Sequence, residues 1–285
     1  MLAQIVRHLR CPLCAAPFEA TGSALVCATG HSFDLARQGY VNLLTGRAPA
    51  RADTTDMVRA RAEFLAAGHF DPIAAGVAGQ VPPSASFVVD VGAGTGFYLC
   101  AVLDRLGTGH GLALDVSGPA VRRAARAHPR AAAAVGDAWR GLPLRDACAD
   151  VVMNVFAPRN GAEFHRVLRP DGVLLVLTPD PDHLAELAGP LGLLDVDPDK
   201  DRRLEVTLGR WFRLESQARY RYPLRLSRAD AAHLAGMGPS AWHTATTAIA
   251  ATLAQRAEPL AATASVTLHR YRPIRTDPSV PVPKP

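Results

Sequence analysis

From residue 86 onward, short apolar runs alternate with longer alanine-rich stretches that have a helical pattern. The runs read FVVDVG, HGLALDVS, AAAAVGD, ADVVMNVF and GVLLVLTP, and they begin at Phe87, His110, Ala131, Ala149 and Gly172. Short β-rich runs separated by helical segments are typical of a parallel sheet with crossover helices. The sequence therefore predicts an α/β fold with a largely parallel, Rossmann-like sheet.

Two helices are predicted ahead of the first of these runs. The first is capped by Thr55 or Asp56, carries an apolar stripe of helical period and ends at Gly68. The second runs from Pro72 to about Val81, where two prolines follow. The polar, proline-containing segment before these helices is predicted to be a linker, and the proline-rich tail of the chain is predicted to be disordered.

Three of the five cysteines lie close together near the N-terminus and are followed by a histidine. Cys11, Cys14, Cys27 and His31 follow the pattern C-x2-C, twelve residues, C-x3-H. Tetrahedral zinc takes thiolate and imidazole ligands, and both sulfurs of a C-x-x-C turn can face one ion. The alternatives are a redox-active cysteine pair and ordinary buried thiols, and neither accounts for Cys27 and His31. The sequence predicts one closed, structural zinc site.

The composition narrows the class of protein. Apolar residues make up 48% of the chain, which suffices for a buried core. The apolar run 173–177 is far shorter than the ~20 residues that a membrane-spanning helix needs. Arginines interrupt the N-terminal segment where a signal peptide would be apolar, so we expect a cytoplasmic protein without a membrane segment. Five cysteines in that reducing compartment argue against a disulfide framework, and Cys100 and Cys148 are predicted to be buried thiols.

The first apolar run leads into a glycine-rich loop, where a ligand can lie against bare backbone at the carboxyl end of a strand. The loop residues concerned are Asp90, Gly92, Gly94, Thr95 and Gly96. Asp115 ends the second run, about 20 residues after the loop, where a carboxylate can bind ribose hydroxyls. Asp137 and Ala138 follow the third run, where a carboxylate can meet an adenine amino group. An aspartate there is equally typical of an ordinary turn. Phe97 replaces the third glycine of the dinucleotide fingerprint, which disfavours a nicotinamide enzyme.

Together with the turn RVLRPDG at 166–172, these residues resemble the class I S-adenosylmethionine (SAM)-dependent methyltransferases. The whole chain from about Cys11 to Arg272 resembles the bacterial 23S rRNA (guanine-N1)-methyltransferases. The motifs that carry this likeness are CPLC, CATGHSFDLARQGYVNLL, GHF, DVGAGTG, NVFAPRN and TPDPDHL. The motif MGPSAWH at 237–243 is similar to the branch that modifies guanine-748 and protects against tylosin-type macrolides, whereas a sister branch modifies guanine-745.

This resemblance implies cofactors, partners and several site residues. The implied cofactors are SAM and one zinc ion, which the four predicted ligands match without substitution. The implied partner is 23S rRNA, and a homodimer is a further expectation. Gly94 and Thr95 fall where the loop of the family touches SAM. Phe70 stands where the family often has tyrosine, and His183 matches a histidine implicated in cofactor binding.

The loop after the fourth apolar run is the predicted substrate-positioning element, with Asn154 and Arg159 as its candidates. Amino-methylating enzymes of this fold carry an Asn/Asp-Pro-Pro-aromatic motif there, but this sequence reads Asn-Val-Phe-Ala-Pro. This departure leaves the acceptor of the guanine N1 proton unassigned. Asp180 and Asp182 are either candidates for that role or ordinary solvated loop residues.

Charge is unevenly distributed along the chain, whose net charge of +5 includes 29 arginines and only two lysines. Residues 202–228 hold eight arginines and two glutamates, whereas residues 180–201 hold seven acids and one lysine. This contrast predicts that one side of the domain faces nucleic acid. Arg219, Arg221 and Arg225 share one face of a strand with period two, which is either an RNA track or a solvated face. Further RNA contacts are predicted at Arg7, Arg10 and Arg37.

The expected organisation has four parts. These are a zinc-finger RNA-recognition domain (1–45), a linker with helices (46–85), a methyltransferase domain (86–273) and a disordered tail (274–285). Two other functions stay open on the sequence alone. One is a small-molecule methyltransferase with a structural zinc finger, and the other is a non-catalytic RNA-binding protein with a degenerate cofactor fold.

Overall fold

A computed structural model describes residues 2–47, 49, 52–193, 200–238 and 246–274. Its helices are α1 (Leu2–Ile5), α2 (Thr55–Ala66), α3 (Asp71–Gly79), α4 (Phe97–Leu106), α5 (Gly118–Ala124), α6 (Gly161–Val167), α7 (Ala185–Leu191), α8 (Lys200–Leu208), α9 (Arg228–Met237) and α10 (Thr246–Ala254). Its strands are β1 (Phe18–Thr21), β2 (Ala24–Cys27), β3 (Ser32–Asp34), β4 (Tyr40–Asn42), β5 (Phe87–Val91), β6 (His110–Asp115), β7 (Ala131–Val135), β8 (Ala149–Val155), β9 (Leu168–Pro179), β10 (Phe212–Leu226) and β11 (Leu260–Pro273).

The larger of the two sheets has eight strands in the order β10-β11-β9-β8-β5-β6-β7-β4. All strands from β9 to β4 in this order run parallel, whereas β11 and β10 extend the β9 edge in antiparallel fashion. The predicted, largely parallel α/β fold is therefore confirmed. Strand β5 has β6 on one side and β8 on the other, so the order of successive strands in the sheet reverses at β5. Open α/β sheets bind ligands at such a reversal of strand order.

Helices cover both faces of the large sheet, so its central strands are buried on both sides. Alternate residues of each strand belong to two separate cores. Val88 and Val151 pack with the core that includes α2, α3 and α4, whereas Val89 and Val152 pack with α1, α6 and α8. This double burial is why the sequence shows continuous apolar runs in place of alternating ones.

The N-terminal module packs against the large sheet. Strands β1, β2 and β3 form a small antiparallel sheet, and its residues Phe18 and Leu25 join the core on the α1 side. His8 stacks on Phe87 with ring centroids 4.2 Å apart. Arg10 lies 3.3 Å from Asp146 in an ion pair. Arg10 is thus engaged with the large domain, whereas Arg7 and Arg37 are exposed, and the RNA contacts expected at all three stay predictions.

The segment before residue 45 also contributes a strand to the large sheet. Strand β4 pairs in parallel with β7, and the Leu43 amide donates to the Val135 carbonyl at 2.9 Å. The segment boundaries at 45, 85 and 273 stay predictions. Because β4 pairs with β7, the predicted zinc-finger segment (1–45) and the predicted methyltransferase segment (86–273) share one sheet.

The two helices predicted before β5 form, with small shifts at their ends. The Thr54 hydroxyl accepts a hydrogen bond from the Met57 amide at 3.3 Å and caps α2. The predicted cap at Thr55 or Asp56 is therefore wrong, because a cap needs the extended backbone that Thr54 has, and Thr55 is already helical. Helix α3 covers Asp71–Gly79, close to the predicted range.

Four expectations fall partly outside the described residues. They concern the linker, of which 48, 50 and 51 lie outside, the tail, of which 275–285 lie outside, the motif MGPSAWH, of which 239–243 lie outside, and the acidic segment, of which 194–199 lie outside. Within the ranges that the structure describes, no helix combines the length and the apolar character needed to cross a membrane.

Candidate active site and metal centre

The four predicted zinc ligands lie together, with their ligand atoms all within 4.8 Å of one another. The Sγ atoms of Cys14 and Cys27 are 3.7 Å apart, and Cys27 Sγ is 3.5 Å from His31 Nδ1. Two sulfurs bound to a tetrahedral ion at about 2.3 Å are about 3.8 Å from each other, so this spacing suits zinc. Because Cys11 completes a set of four protein ligands, the site leaves no position for a reactive water and is structural.

Cys100 and Cys148 lie outside this cluster. Burial raises the pKa of both thiols to about 11. Thiols with such pKa values stay protonated at neutral pH and are poor nucleophiles and metal ligands. The prediction of a buried thiol is confirmed for Cys148, whereas Cys100 is only partly buried.

A cavity of about 620 Å³ opens at the carboxyl ends of the central parallel strands. This volume is typical of sites that bind small molecules. Nine of the ten residues predicted to bind the cofactor line it: Phe70, Asp90, Gly92, Gly94, Thr95, Asp115, Asp137, Ala138 and His183. The tenth, Gly96, does not. Parallel pairing of β5, β6 and β7 brings together the loops that carry most of these residues.

The glycine loop is packed so closely that side chains are excluded from it. A Cβ atom at Gly92 would lie 2.3 Å from the Cβ of Ala157, and Gly92 has a φ of +79°. Glycine therefore lets the loop after β8 approach the loop after β5. Gly96 packs against Ala124, which would lie 3.3 Å from a Cβ there. Gly96 thus serves the contact between α4 and α5.

Asp115 holds the glycine loop from the end of β6. Its Oδ2 accepts a hydrogen bond from the Gly94 amide at 2.8 Å, and its Oδ1 accepts one from the Ser117 amide at 2.8 Å. The carboxylate is thereby fixed while it lines the cavity. Asp137 caps the following turn by accepting from the Trp139 amide at 2.9 Å, and it also lines the cavity. The two alternatives for Asp137, turn residue and ligand contact, are therefore compatible.

Asp90 is a buried carboxyl group without a hydrogen-bond partner. It is 1% exposed, and neither of its side-chain oxygens has a partner within the described part of the chain. Burial, together with the neighbouring Asp115, raises the pKa of Asp90 to about 8. An unsatisfied buried carboxyl that lines a cavity is costly unless a ligand completes its bonding.

Asn154 and Arg159, the two substrate-positioning candidates, do not line the cavity. Asn154 is fully buried, and its Nδ2 donates to the carbonyls of Val91 (3.2 Å) and Pro158 (2.9 Å). It therefore fixes the loop after β8 from beneath. Arg159 is partly buried, which lowers the pKa of its guanidinium. Sequence position alone cannot tell such a supporting residue from one that faces a ligand.

The cavity lining also includes residues that the sequence does not single out as site residues, among them Arg61, Trp139 and Phe156. Arg61 pairs with Asp53 and donates to the Met237 carbonyl at 2.7 Å, so it joins α2 to the end of α9. Among the described lining residues it carries the one guanidinium. Trp139 and Phe156 are 64% and 41% exposed. The signal that could have identified Phe156 is its place within the segment Asn-Val-Phe-Ala-Pro, where it is the aromatic residue of the predicted substrate-positioning loop.

The acidic and basic segments lie side by side in the fold, and the expectation that one side of the domain faces nucleic acid stays a prediction. Antiparallel pairing of β10 with β11, and of β11 with β9, places Arg219 2.7 Å from Asp180 and Arg221 2.9 Å from Asp182. Hydrogen bonds from Ser265 and from Arg221 lower the pKa of Asp182 to about 2. Two of the three predicted RNA-track arginines are thus engaged within the protein, and Arg225 is exposed.

Comparisons with known proteins agree with this arrangement. Residues 9–47 match a zinc-ribbon family described as RlmA, N-terminal, and residues 88–172 match a family described as methyltransferase domain. The chain is 54% identical to a protein of Micromonospora griseorubida named as a 23S rRNA (guanine-N(1)-)-methyltransferase, over 96% of this chain and 100% of that protein. It is 48% identical to the 23S rRNA (guanine(748)-N(1))-methyltransferase of Streptomyces fradiae, again over 96% and 100%.

Among solved structures, a geranyl diphosphate methyltransferase in complex with SAM is similar with a TM-score of 0.45. The identity is 11%, and the alignment covers 71% of this chain and 85% of that chain.

The cavity residues fit the cofactor that the methyltransferase domain implies. SAM carries positive charge, and the unpartnered carboxyl of Asp90 is suited to a cationic ligand. The bare backbone at Gly92 allows a nucleoside to approach closely. The fixed carboxylate of Asp115 is suited to hydrogen bonds with its ribose. The cofactors are therefore SAM and one structural zinc ion. Since both full-length relatives share about half of their residues with it, the chain belongs to the family of 23S rRNA (guanine-N1)-methyltransferases.

Proposed function

We propose that the protein transfers a methyl group from SAM to N1 of guanine-748 in 23S rRNA. The observation that carries this proposal is the 48% identity, over 96% of this chain and the whole of the relative, to an enzyme named for that nucleotide. The cavity supports it, because a fixed carboxylate, a tight glycine loop and an unsatisfied carboxyl converge where a methyl donor would be held.

Three side chains are proposed to hold SAM. Asp115 would accept hydrogen bonds from the ribose hydroxyls, and Asp90 would face the cationic part of the molecule. Arg61 would pair with the carboxylate group of SAM, because it is the permanently charged cation among the described residues that line the cavity. Bound SAM supplies an electrophilic methyl group.

The reaction needs positioning more than it needs acid or base strength. Guanine N1 attacks the methyl carbon directly, and holding the reacting atoms in line accounts for much of the acceleration. The target base must be unpaired or flipped out to reach the cavity. The zinc ion lies in a closed site and takes no part in the transfer.

His183, Asp180 and Asp182 are poor acceptors for the N1 proton. His183 Nδ1 already accepts the Ser265 amide at 3.1 Å, so a neutral His183 carries its proton on Nε2 and donates from there. Asp180 and Asp182 are held by Arg219 and Arg221, and the low pKa of Asp182 makes it a weak base. Water is therefore the proposed acceptor.

We expect the affinity for SAM to rise with pH. Below about pH 8, Asp90 is protonated in the free protein, and cationic SAM favours its ionised form, so binding releases a proton. The association constant should increase by up to about tenfold per pH unit from pH 6 to 8 and level off above. Calorimetry in buffers of different ionisation enthalpy measures this release, and Asp90→Asn should abolish it. Equal proton release by wild type and variant would exclude Asp90 as its source.

Other features of the proposal concern the surroundings of the reaction. The zinc-bearing module would serve rRNA recognition, since its metal site is not catalytic. A cytoplasmic location, a homodimer and protection against tylosin-type macrolides remain proposals that rest on the family resemblance. Arg37 and Arg225, which are exposed and form no ion pair with the residues that the structure describes, would contribute phosphate contacts.

Methyl transfer to defined RNA fragments tests the proposal. We expect purified protein and methyl-labelled SAM to label a 23S rRNA fragment that contains guanine-748, and not the same fragment with adenine at that position. Label that survives this replacement but is lost when guanine-745 is replaced would assign the protein to the sister activity. Absence of label from both fragments, with transfer to a macrolide, would support a small-molecule methyltransferase.

A further inference from the structure

Phe156 exposes an aromatic ring at the mouth of the cavity. Its side chain is 41% exposed, and that of Trp139 is 64% exposed, whereas the lining aromatics Phe70 and Tyr98 are 2% and 8% exposed. Phe156 directly follows β8, and Val155, the last residue of β8, also lines the cavity. A large apolar side chain at such a place is available to a ligand in a way that the buried aromatics are not.

The backbone at Phe156 is held in an unfavourable conformation. Its φ of +52° lies in the left-handed region, which bulky residues avoid and which costs about 1 to 3 kcal/mol. Hydrogen bonds on both sides maintain it: the Phe156 amide donates to the Leu177 carbonyl at 3.2 Å, and Asn154 Nδ2 donates to the Pro158 carbonyl. The surrounding chain thus enforces a turn that presents the ring to the cavity.

Contacts with two other rings fix the orientation of Phe156. Its ring is stacked near that of His183, with centroids 6.0 Å apart and planes 24° from parallel. It meets Tyr98 in an edge-to-face arrangement at 6.5 Å. Because Asn154 supports the same loop and Ala157 packs against Gly92, the position of the ring is coupled to the glycine loop.

A purine placed for attack through N1 must present its edge to the methyl group, which leaves its two faces to be covered by the protein. Stacking of a base on an aromatic side chain contributes about 1 to 3 kcal/mol. We propose that Phe156 is the platform on which the target guanine stacks, so that it positions N1 without providing chemistry. This inference rests on the proposed guanine methylation and names the residue that holds the base.

The test separates the ring of Phe156 from its backbone. We expect Phe156→Ala to raise KM for the rRNA fragment, or to lower kcat/KM, by about tenfold or more, while calorimetry shows the Kd for SAM within about twofold of wild type. Phe156→Tyr keeps a stacking face and should retain activity within about threefold. Phe156→Asn removes the ring but adopts the left-handed backbone readily, and it should be as impaired as the alanine variant.

Leu214→Ala is the matched control, because Leu214 is a similarly exposed apolar residue on β10, at 44%, and does not line the cavity. Full activity of Phe156→Asn would overturn the inference in favour of a purely conformational role, and unchanged kinetics of Phe156→Ala would overturn it outright. If wild type itself does not methylate the fragment, the proposed function fails, which is distinct from both outcomes. Melting temperatures identify any variant that has lost its fold.

Discussion

Replacement of Asp115 by alanine is expected to weaken SAM binding by at least about 100-fold and to abolish methyl transfer at ordinary SAM concentrations. The carboxylate lines the cavity and accepts the amides of Gly94 and Ser117 at 2.8 Å each. Its loss would remove the proposed hydrogen bonds to the ribose and also release the glycine loop. Hydrogen bonds to charged groups contribute about 1.5 to 3 kcal/mol each, so two of them account for a loss of this size.

Isothermal calorimetry with SAM measures this effect, and thermal unfolding shows whether the variant is folded. Asp115→Asn keeps the shape of the side chain and is expected to fold with a reduced but measurable affinity. Asp171→Ala removes an exposed carboxylate on β9 that does not line the cavity, and it should bind like wild type. Affinity of Asp115→Ala within a few-fold of wild type would show that the cofactor does not use this carboxylate.

The second large effect is expected from Cys14→Ser, which should lose the zinc ion. Three remaining ligands cannot close the tetrahedral site, and structural zinc contributes folding free energy directly. Metal analysis should show a fall from about one zinc per chain to near zero. The large sheet should stay folded and bind SAM, because Cys14 lies outside the SAM cavity.

The outcome for rRNA methylation is informative in its own right. We expect the Cys14→Ser variant to bind SAM normally and to methylate rRNA poorly, since the module is proposed to recognise RNA. Cys148→Ser changes a buried thiol outside the metal cluster and is the matched control for zinc content. A full equivalent of zinc in Cys14→Ser would contradict the assigned ligand set, and normal methylation without zinc would contradict the role in recognition.

The sequence predicted those parts of the site that depend on local order along the chain. Strand ends are marked by apolar runs, and the parallel pairing of β5, β6 and β7 then dictates that Asp90, Asp115 and Asp137 meet at one edge. The zinc ligands were predictable for the same reason, because a turn and a short hairpin suffice to bring them together. Nothing beyond spacing and ligand chemistry was required.

Features that depend on the pairing of distant segments were not predictable. Arg219 and Asp180 are 39 positions apart in the sequence, and only the antiparallel strands at the β9 edge bring them into contact. Net charge by segment therefore misrepresented the surface. Likewise, Asn154 and Phe156 are two residues apart, yet one is buried beneath the cavity and the other faces it, because the backbone turns at Phe156.

Mapping of the modified nucleotide tests the central proposal most directly. The protein would be expressed in cells that lack this modification, and their 23S rRNA would be digested and sequenced by mass spectrometry. We expect one added methyl group, on N1 of guanine-748, and its absence when Asp115→Ala is expressed instead. An unmodified guanine-748 in the presence of folded, SAM-binding protein would contradict the account.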